Sequence, residues 1–221
     1  MIETLLAGDA ADPLDYRDGW ELQRRLHGEV VARARPGALV LCEHASVYTA
    51  GKRTEAHERP VDGSPVVDVD RGGRLTWHGP GQLVGYPIVR LREPVDVVAY
   101  VRSLEGVLIE VLDDLGVTGE RVDGRSGVWI RRGDGADKIA AIGVRVAHGV
   151  TMHGFALNVS NSLEPYSRII PCGIADAGVT TLERERGEAP AMAAVRARVQ
   201  ARFREAAPAF AAEAAIAGVA A

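Results

Sequence analysis

The chain has 221 residues, of which 47% are hydrophobic and 25% are charged, and its formal net charge is -4. This composition is typical of a globular protein with a substantial core, and the acidic balance argues against nucleic acid as the main partner. With no run of 18 apolar residues and no basic N-terminal segment leading into an apolar stretch, we expect neither a membrane span nor a signal peptide. Because Cys42 and Cys172 imply no disulfide framework, we expect a cytoplasmic protein with free thiols.

The first third of the chain predicts a helix, a buried strand and a long loop. Asp12-Pro13 is typical of a helix start, and apolar residues at helical spacing carry the helix to Arg35, where Pro36-Gly37 ends it. The short apolar run Ala38–Cys42 predicts a buried strand. Residues 51–65 are rich in Gly, Arg and Pro, which predicts a mobile surface loop.

The middle of the chain predicts two strands and the clearest helix. Residues 66–69 and 83–91 are β-rich, and Pro87 places the second of these strands at a sheet edge or a bulge. Residues 97–115 predict a helix that Asp96 caps and Gly116 closes. Its apolar stripe, which we expect to lie in the core, is Val97, Val98, Val101, Leu104, Val107, Leu108, Val111, Leu112 and Leu115.

The last part of the chain predicts a β-hairpin, a further strand and a final helix. Residues 127–130 and 138–146 read as strands joined by a loop at 131–137, and residues 149–161 alternate as a third strand. The final helix is predicted over about 189–207, with Pro208 as its stop.

Glycines, arginines and a histidine between two β-rich pieces indicate a ligand wall. Gly72-Gly73 allows close approach of the backbone to a ligand, and Arg71 and His78 flank it. The alternative is a glycine-rich hairpin that binds nothing, in which His78 is only a hydrogen-bonded loop residue. It is not a phosphate loop, because the Gly-Lys-Ser/Thr ending is missing.

Small residues in two neighbouring strands indicate room above a sheet. Ala141 and Gly143 lie in one predicted strand, and Gly154 and Ala156 lie in the next. Such a face could admit a slim aliphatic chain, although well-packed sheets also carry small residues.

Lys138 is unusual for this chain. Of the 26 basic residues, 24 are Arg, and the other lysine is Lys52. Arg does not release its proton in a protein, whereas burial and neighbours can tune a lysine into a base or proton shuttle. The alternative is that Lys138 is a random exception to a composition bias.

The two cysteines have different settings. Cys42 follows a buried apolar run, and although Cys42-x-His44 could suggest a metal, a lone pair without further ligands is better read as a buried structural cysteine. Pro171 and Gly173 flank Cys172 and predict a rigid, exposed turn that presents its thiol. The alternative is an inert cysteine, as most are.

Four motifs together resemble the lipoyl(octanoyl) transferases. They are Arg71-Gly-Gly-Arg-Leu-Thr-Trp-His-Gly-Pro-Gly-Gln, Lys138-Ile-Ala-Ala-Ile-Gly-Val-Arg, His153-Gly-Phe-Ala-Leu-Asn-Val and Pro171-Cys-Gly-Ile. The resemblance spans about residues 30–185. It implies one α/β (α+β type) domain over 1–221, with a catalytic core at about 30–207. It also implies a biotin/lipoate protein ligase-like fold, with a mixed, mostly antiparallel sheet flanked by helices.

The resemblance also implies an activity and its residues. An octanoyl or lipoyl group would pass from acyl carrier protein to a lysine of a lipoyl domain, through a thioester on Cys172, while Lys138 lowers the pKa of that thiol and acts as acid and base. The acceptors would be lipoyl domains of 2-oxoacid dehydrogenases and the glycine cleavage H protein. The implied substrate-binding residues are Arg71, Gly72, Gly73, Arg74, Leu75, Thr76, Trp77, His78, Ala141, Ile142, Gly143, Gly154, Phe155 and Ala156.

This chemistry needs neither a cofactor nor a metal, and we expect a monomer that binds no nucleic acid and no membrane. We expect His78 and backbone N–H groups near Gly73 or Gly143 to position the reacting carbonyl. Arg71, Arg74 and Arg145 are candidate contacts for an acidic carrier protein. The alternatives are an ATP-dependent lipoate–protein ligase, which would show ATP dependence, and a non-catalytic acyl-binding protein, which would not deacylate the carrier.

Overall fold

The computed structural model describes residues 2–169 and 177–213, and Cys172 lies outside the described residues. The strands are β1 (Glu3–Ala7), β2 (Gly37–Cys42), β3 (Val47–Ala50), β4 (Val66–Asp68), β5 (Leu75–His78), β6 (Gln82–Val89), β7 (Glu120–Val122), β8 (Arg125–Arg132), β9 (Gly135–Ala147) and β10 (Val150–Asn158). The α-helices are α1 (Tyr16–Val31), α2 (Val97–Asp114), α3 (Leu182–Arg186) and α4 (Met192–Phe210), and short 3₁₀-helices span Ala56–Glu58 and Glu164–Arg168.

The strands form a large sheet and a small one. The large sheet has the order β1-β2-β6-β10-β9-β8-β7, with β1 parallel to β2 and the other neighbours antiparallel. The small sheet has the order β4-β3-β5. Because β2, β6 and β10 are buried along their whole length, they form the centre of the molecule.

Helices cover both faces of the large sheet, since the side chains of each strand alternate between two apolar clusters. On one face α1 packs through Leu26 and Val30 against Val40, Val84 and their neighbours. On the other face α2 and α4 bury their apolar stripes against residues such as Leu39 and Leu157. A third cluster joins the small sheet to the 3₁₀-helix at Glu164–Arg168 through residues such as Trp77 and Tyr166.

The structure corrects the predicted bounds of two helices. The first helix begins at Tyr16, after the N-cap Asp15, rather than at Asp12-Pro13, and it ends at Val31 rather than Arg35. Pro208 lies inside α4 instead of ending it. It lies two residues before the C-terminus of the helix, so the missing N–H removes one hydrogen bond without dividing a long helix.

Other predictions need correction in part. The strand that contains Pro87 is central, between β2 and β10, and not at an edge. The register of β6 with β10 is the same before and after Pro87, since Gly85 pairs with Phe155 and Arg90 with Val150, so the bulge alternative is not supported either. Val97 and Val98 are exposed rather than part of the core. The sequence analysis missed β1, β3, β5, β7 and α3. Within the loop at 51–65 it also missed the 3₁₀-helix that contains the buried Glu58.

Asp96 caps α2 as predicted, because its side chain accepts a hydrogen bond from the Ala99 N–H at 2.9 Å. We expect Asp96→Ala to lower the free energy of unfolding by about 1 kcal/mol. Asp96→Asn, which keeps an acceptor, should lose much less. Urea unfolding of both variants measures the difference, and equal losses would contradict a capping role.

Candidate active site

A cavity of about 240 Å³ lies between the large sheet and the small one, on the α1 side. Small residues of β9 and β10 form its floor, and β5 with the preceding Arg71 loop forms its roof. The lining residues are Tyr16, Arg53, Arg71, Gly73, Arg74, Thr76, His78, Val84, Tyr86, Gly124, Arg125, Ser126, Lys138, Ala141, Ile142, Gly143, His153, Gly154, Phe155 and Ala156. The structure thus brings together residues of three of the four motifs.

The floor of the cavity carries no bulky side chains where β9 and β10 pair. Gly143 pairs with Gly154, and Ala141 pairs with Ala156. A Cβ added at Gly154 would lie 2.2 Å from the carbonyl oxygen of Gly85, so no larger residue fits there. At Gly143 an added Cβ would lie 3.1 Å from the Arg71 side chain and from the Gly72 carbonyl oxygen.

Lys138 enters the cavity because β9 has an irregular register beside it. Val128 pairs with Ala140, but the next residue, Trp129, pairs with Lys138, so Ile139 is an extra residue on β9. Such a bulge reverses the alternation of faces. Lys138 is buried, and its Nζ lies 4.5 Å from the centroid of the Trp129 ring, within the range of a cation–π contact.

The chain that follows Cys172 is hydrogen-bonded to the backbone of Lys138. The Lys138 N–H donates to Gly178 O at 2.9 Å, and the Thr180 N–H donates to Lys138 O at 3.0 Å. Val179 therefore forms a parallel bridge with Lys138. In the sequence, Cys172 precedes Gly178 by six positions.

Arg71 acts as an internal brace of the glycine loop. Its guanidinium is buried and donates to Thr49 O and Thr49 Oγ1 at 2.9 Å, to Gly72 O at 3.0 Å and to Arg74 O at 2.9 Å. A guanidinium with these contacts fixes the roof of the cavity.

The other two arginines suggested as carrier contacts also have partners within the chain. Arg74 pairs with Glu55 at 2.9 Å and Glu58 at 2.8 Å. Arg145 pairs with Asp70. Their charges are therefore largely compensated within the protein.

The hydrogen bonds of His78 assign its tautomer. Gln82 Nε2 lies 3.3 Å from Trp77 O and 2.9 Å from Asn158 Oδ1, which leaves Gln82 Oε1 as the acceptor for His78 Nδ1–H at 2.8 Å. Burial lowers the pKa of His78 to about 3. His78 is therefore neutral near pH 7, and its Nε2 can only accept a hydrogen bond, so it does not suit the expected role of donating to a carbonyl oxygen.

Strand alternation divides the remaining predicted residues of β5. Thr76 and His78 face the cavity, whereas Leu75 and Trp77 point into the third apolar cluster. Trp77 Nε1 donates to Ser46 Oγ at 3.0 Å. Gly72 does not line the cavity, and its N–H donates to Val144 O at 2.9 Å.

Tyr16, Tyr86 and His153 are cavity residues that the sequence reading did not select. Tyr86 O–H lies 2.7 Å from His44 Nε2, and burial raises its pKa. His153 has a positive φ of 58° and lies 2.8 Å from Asp70 through Nε2, while its buried Nδ1 has no partner among the described residues. In the sequence, the one signal that could have marked His153 as a cavity residue was its place as the first residue of the third motif.

Cys42 is a buried structural cysteine, as predicted. Burial raises the pKa of its thiol to about 12, so it is not ionised near neutral pH. Its Sγ lies 3.5 Å from His44 Nε2. No group of three metal-ligating side chains occurs within residues 2–169 and 177–213. Over the same ranges, no helix has the length and apolar character needed to cross a bilayer.

Comparison with solved structures identifies the fold. A bipartite lipoate protein ligase from Thermoplasma acidophilum superposes with a TM-score of 0.68 and 16% identity, covering 93% of this chain and 82% of that chain. A biotin protein ligase from Aquifex aeolicus superposes with a TM-score of 0.56 and 16% identity, covering 93% of this chain and 70% of that one. The expected fold, a mixed sheet flanked by helices as in the biotin and lipoate ligases, is confirmed.

Sequence comparison identifies the family. The lipoyl protein ligase A/B catalytic domain matches residues 15–204. An octanoyltransferase of Leifsonia xyli is 62% identical over 216 residues, covering 94% of this chain and 96% of the relative. One of Salinispora tropica is 62% identical over 179 residues, covering 80% and 84%. The chain belongs to the lipoyl protein ligase A/B family, and within it to the octanoyltransferases, which are acyltransferases.

The buried histidines predict how stability depends on pH. Burial lowers the pKa of His78 to about 3 and that of His44 to about 4, whereas both titrate near 6.5 in the unfolded chain. The unfolded chain therefore binds more protons, and the free energy of unfolding should fall by about 1 kcal/mol per histidine between pH 6 and 5. Urea unfolding at these pH values measures the slope.

His78→Phe should reduce the change in the free energy of unfolding between pH 6 and 5 by the contribution of one histidine, because it removes one of the titrating groups. His57→Asn, at an exposed histidine, is the control and should keep the wild-type slope. A slope unchanged by His78→Phe would mean that His78 is not held neutral by the fold.

Proposed function

We propose that the protein transfers an octanoyl group from acyl carrier protein to a specific lysine of a lipoyl domain, through a thioester on Cys172. The observation that carries this proposal is the buried amine of Lys138 in the cavity, with the chain that continues from Cys172 hydrogen-bonded to the Lys138 backbone on both sides. The octanoyltransferase relatives support the acyl group, and a structure that pairs a lipoate ligase with its E2 lipoyl domain supports the acceptor class.

In the first step Lys138 takes the proton of the Cys172 thiol, which gives a thiolate–ammonium pair. The thiolate attacks the octanoyl thioester of the carrier, a new thioester forms on Cys172, and the carrier's thiolate leaves. Lys138 returns the proton to the leaving thiolate and becomes neutral. Because one thioester replaces another, the step needs no nucleotide.

In the second step the ε-amine of the acceptor lysine attacks the acyl-enzyme. The acceptor ammonium loses two protons in becoming an amide. Lys138 takes one and restores its pair with the Cys172 thiolate, and solvent takes the other. The hydrogen bond from His78 Nδ1 to Gln82 leaves the stabilisation of the oxyanion to backbone N–H groups.

The walls of the cavity suit an unbranched apolar chain. Gly143 and Gly154 place no side chain in the cavity, and Val84 and Phe155 line it with apolar surface. Gly73, Ala141, Ile142 and Ala156 complete the acyl site.

We also expect the protein to be cytoplasmic and monomeric.

Two substitutions separate the roles of Cys172 and Lys138. With octanoyl carrier protein alone and no ATP, the wild-type protein should gain one octanoyl group on Cys172, and Cys172→Ser should gain none. Lys138→Arg keeps the positive charge but cannot release its proton. It should still form the acyl-enzyme and then transfer to the lipoyl domain about 10²–10⁴-fold more slowly.

Intact-protein mass spectrometry measures the acyl-enzyme, and a lipoyl-domain shift assay measures transfer. Near-normal transfer by Cys172→Ser would overturn the thioester. Equal loss of both steps in Lys138→Arg would mean that proton transfer by Lys138, and not only its charge, is needed to form the acyl-enzyme as well. A requirement of the wild-type protein for ATP would favour the ligase alternative.

Lys52 and Arg53 are candidate carrier-docking cations in place of the three paired arginines. Both are exposed, and neither forms an ion pair with another described residue. Their backbone N–H groups donate to Arg71 O and Gly73 O at 3.1 Å, which holds them at the cavity roof, and Arg53 lines the cavity. An acidic carrier would meet these cations as its acyl arm enters.

Charge reversal tests this docking role. Lys52→Glu and Arg53→Glu should each raise the KM for octanoyl carrier protein about fivefold at low salt, with a smaller effect at high salt. Acylation by a small neutral octanoyl thioester should not change. Arg204→Glu makes the same charge change at an exposed position of α4, on the other side of the large sheet, and should leave the KM unchanged. Equal effects of all three substitutions would indicate net charge alone.

A further inference from the structure

A buried polar network lies beside the cavity, at the end of β10. Gln82 and Asn158 are almost completely buried. Gln82 Nε2 donates to Asn158 Oδ1 at 2.9 Å and lies 2.8 Å from the Tyr166 hydroxyl, which in turn lies 3.3 Å from Asn158 Oδ1. Neither Gln82 nor Asn158 lines the cavity.

Asn158 connects this network to Lys138. Its Nδ2 donates to Thr180 O at 3.0 Å. The N–H of the same Thr180 donates to Lys138 O at 3.0 Å, and the Lys138 N–H donates to Gly178 O at 2.9 Å. A single side-chain amide thus holds the segment that pairs with Lys138 against the end of β10.

The Asn158 side chain must both accept and donate a hydrogen bond. At this position Asn accepts through Oδ1 from Gln82 and donates through Nδ2 to Thr180. An ionised carboxylate only accepts, so it would lose the bond to Thr180 and face the carbonyl oxygen instead. A leucine of similar shape would lose both bonds and leave buried polar groups unpaired.

We propose that Asn158 is a positioning residue, which sets the place of the Lys138 amine relative to the Cys172 thiol by clamping residues 178–180. This inference rests on the proposed function. If it is right, loosening the clamp weakens the thiolate–ammonium pair. The thiol then ionises at higher pH and both transfer steps slow, while carrier binding is preserved.

The test compares Asn158→Asp and Asn158→Leu with Thr151→Val. Thr151 is buried in the same strand, where its hydroxyl lies 2.7 Å from Pro87 O and accepts from the Val89 N–H at 2.9 Å, and it does not line the cavity. Thr151→Val therefore removes comparable buried hydrogen bonds and controls for loss of stability. Urea unfolding ranks the three variants.

The readouts are the pH dependence of Cys172 alkylation by iodoacetamide and the kinetics of transfer. Both Asn158 variants should shift the alkylation midpoint upward by about one pH unit and lower kcat about 10- to 100-fold, with the KM for the carrier within about twofold of wild type. Thr151→Val should keep the wild-type midpoint.

Unchanged midpoints in folded Asn158 variants would overturn the proposal, as would a shift of the same size in Thr151→Val. If Asn158→Leu does not fold, Asn158→Asp decides, because it keeps the acceptor for Gln82. If the wild-type protein forms no acyl group on Cys172, the proposed function has failed, and that result is read from the wild-type protein alone.

Discussion

The backbone pairing of Lys138 with Gly178 and Thr180 is the interaction on which the rest of the site depends. It joins strand β9 to the chain that continues from Cys172, two regions that the sequence separates by some 40 residues. Backbone hydrogen bonds suit this purpose because their geometry does not depend on side-chain rotamers. The bulge at Ile139 completes the arrangement, since it turns a residue of the strand toward the cavity that would otherwise face α2 and α4.

The cavity exists because the roof is fixed over a floor of small residues, and the Gly72 N–H joins the two at Val144 O at 2.9 Å. The floor has no bulky side chain where Gly143 meets Gly154, and the roof is braced by the four carbonyl and hydroxyl contacts of Arg71. This brace explains a basic residue beside a ligand cavity without assigning it to the ligand. A buried guanidinium with its donors used by the fold is costly to remove, because the carbonyl oxygens that it satisfies would be left unpaired.

Two histidines and two tyrosines at or beside the cavity are held neutral. Burial keeps His78 and His44 unprotonated and the phenols of Tyr16 and Tyr86 un-ionised near pH 7. Neutral rings are compatible with an uncharged acyl chain, since a lone buried charge would need a counterion or water in the same space. Within the proposed function, the charged pair that drives the reaction is then confined to Lys138 and Cys172.

Sequence motifs and local patterns predicted part of the fold and part of the site. The mixed fold followed from the resemblance of four motifs to a known family. Local patterns indicated the buried strand at Ala38–Cys42, the cap at Asp96 and the small residues of the floor, because these depend on neighbours in the chain. The sequence did not separate Thr76 and His78 from Leu75 and Trp77, and it did not show that Arg71 and His78 have hydrogen-bond partners within the fold. Only the tertiary structure decided these points, because they depend on which face a strand presents and on which distant groups, such as Thr49 and Gln82, already use the donors of a side chain.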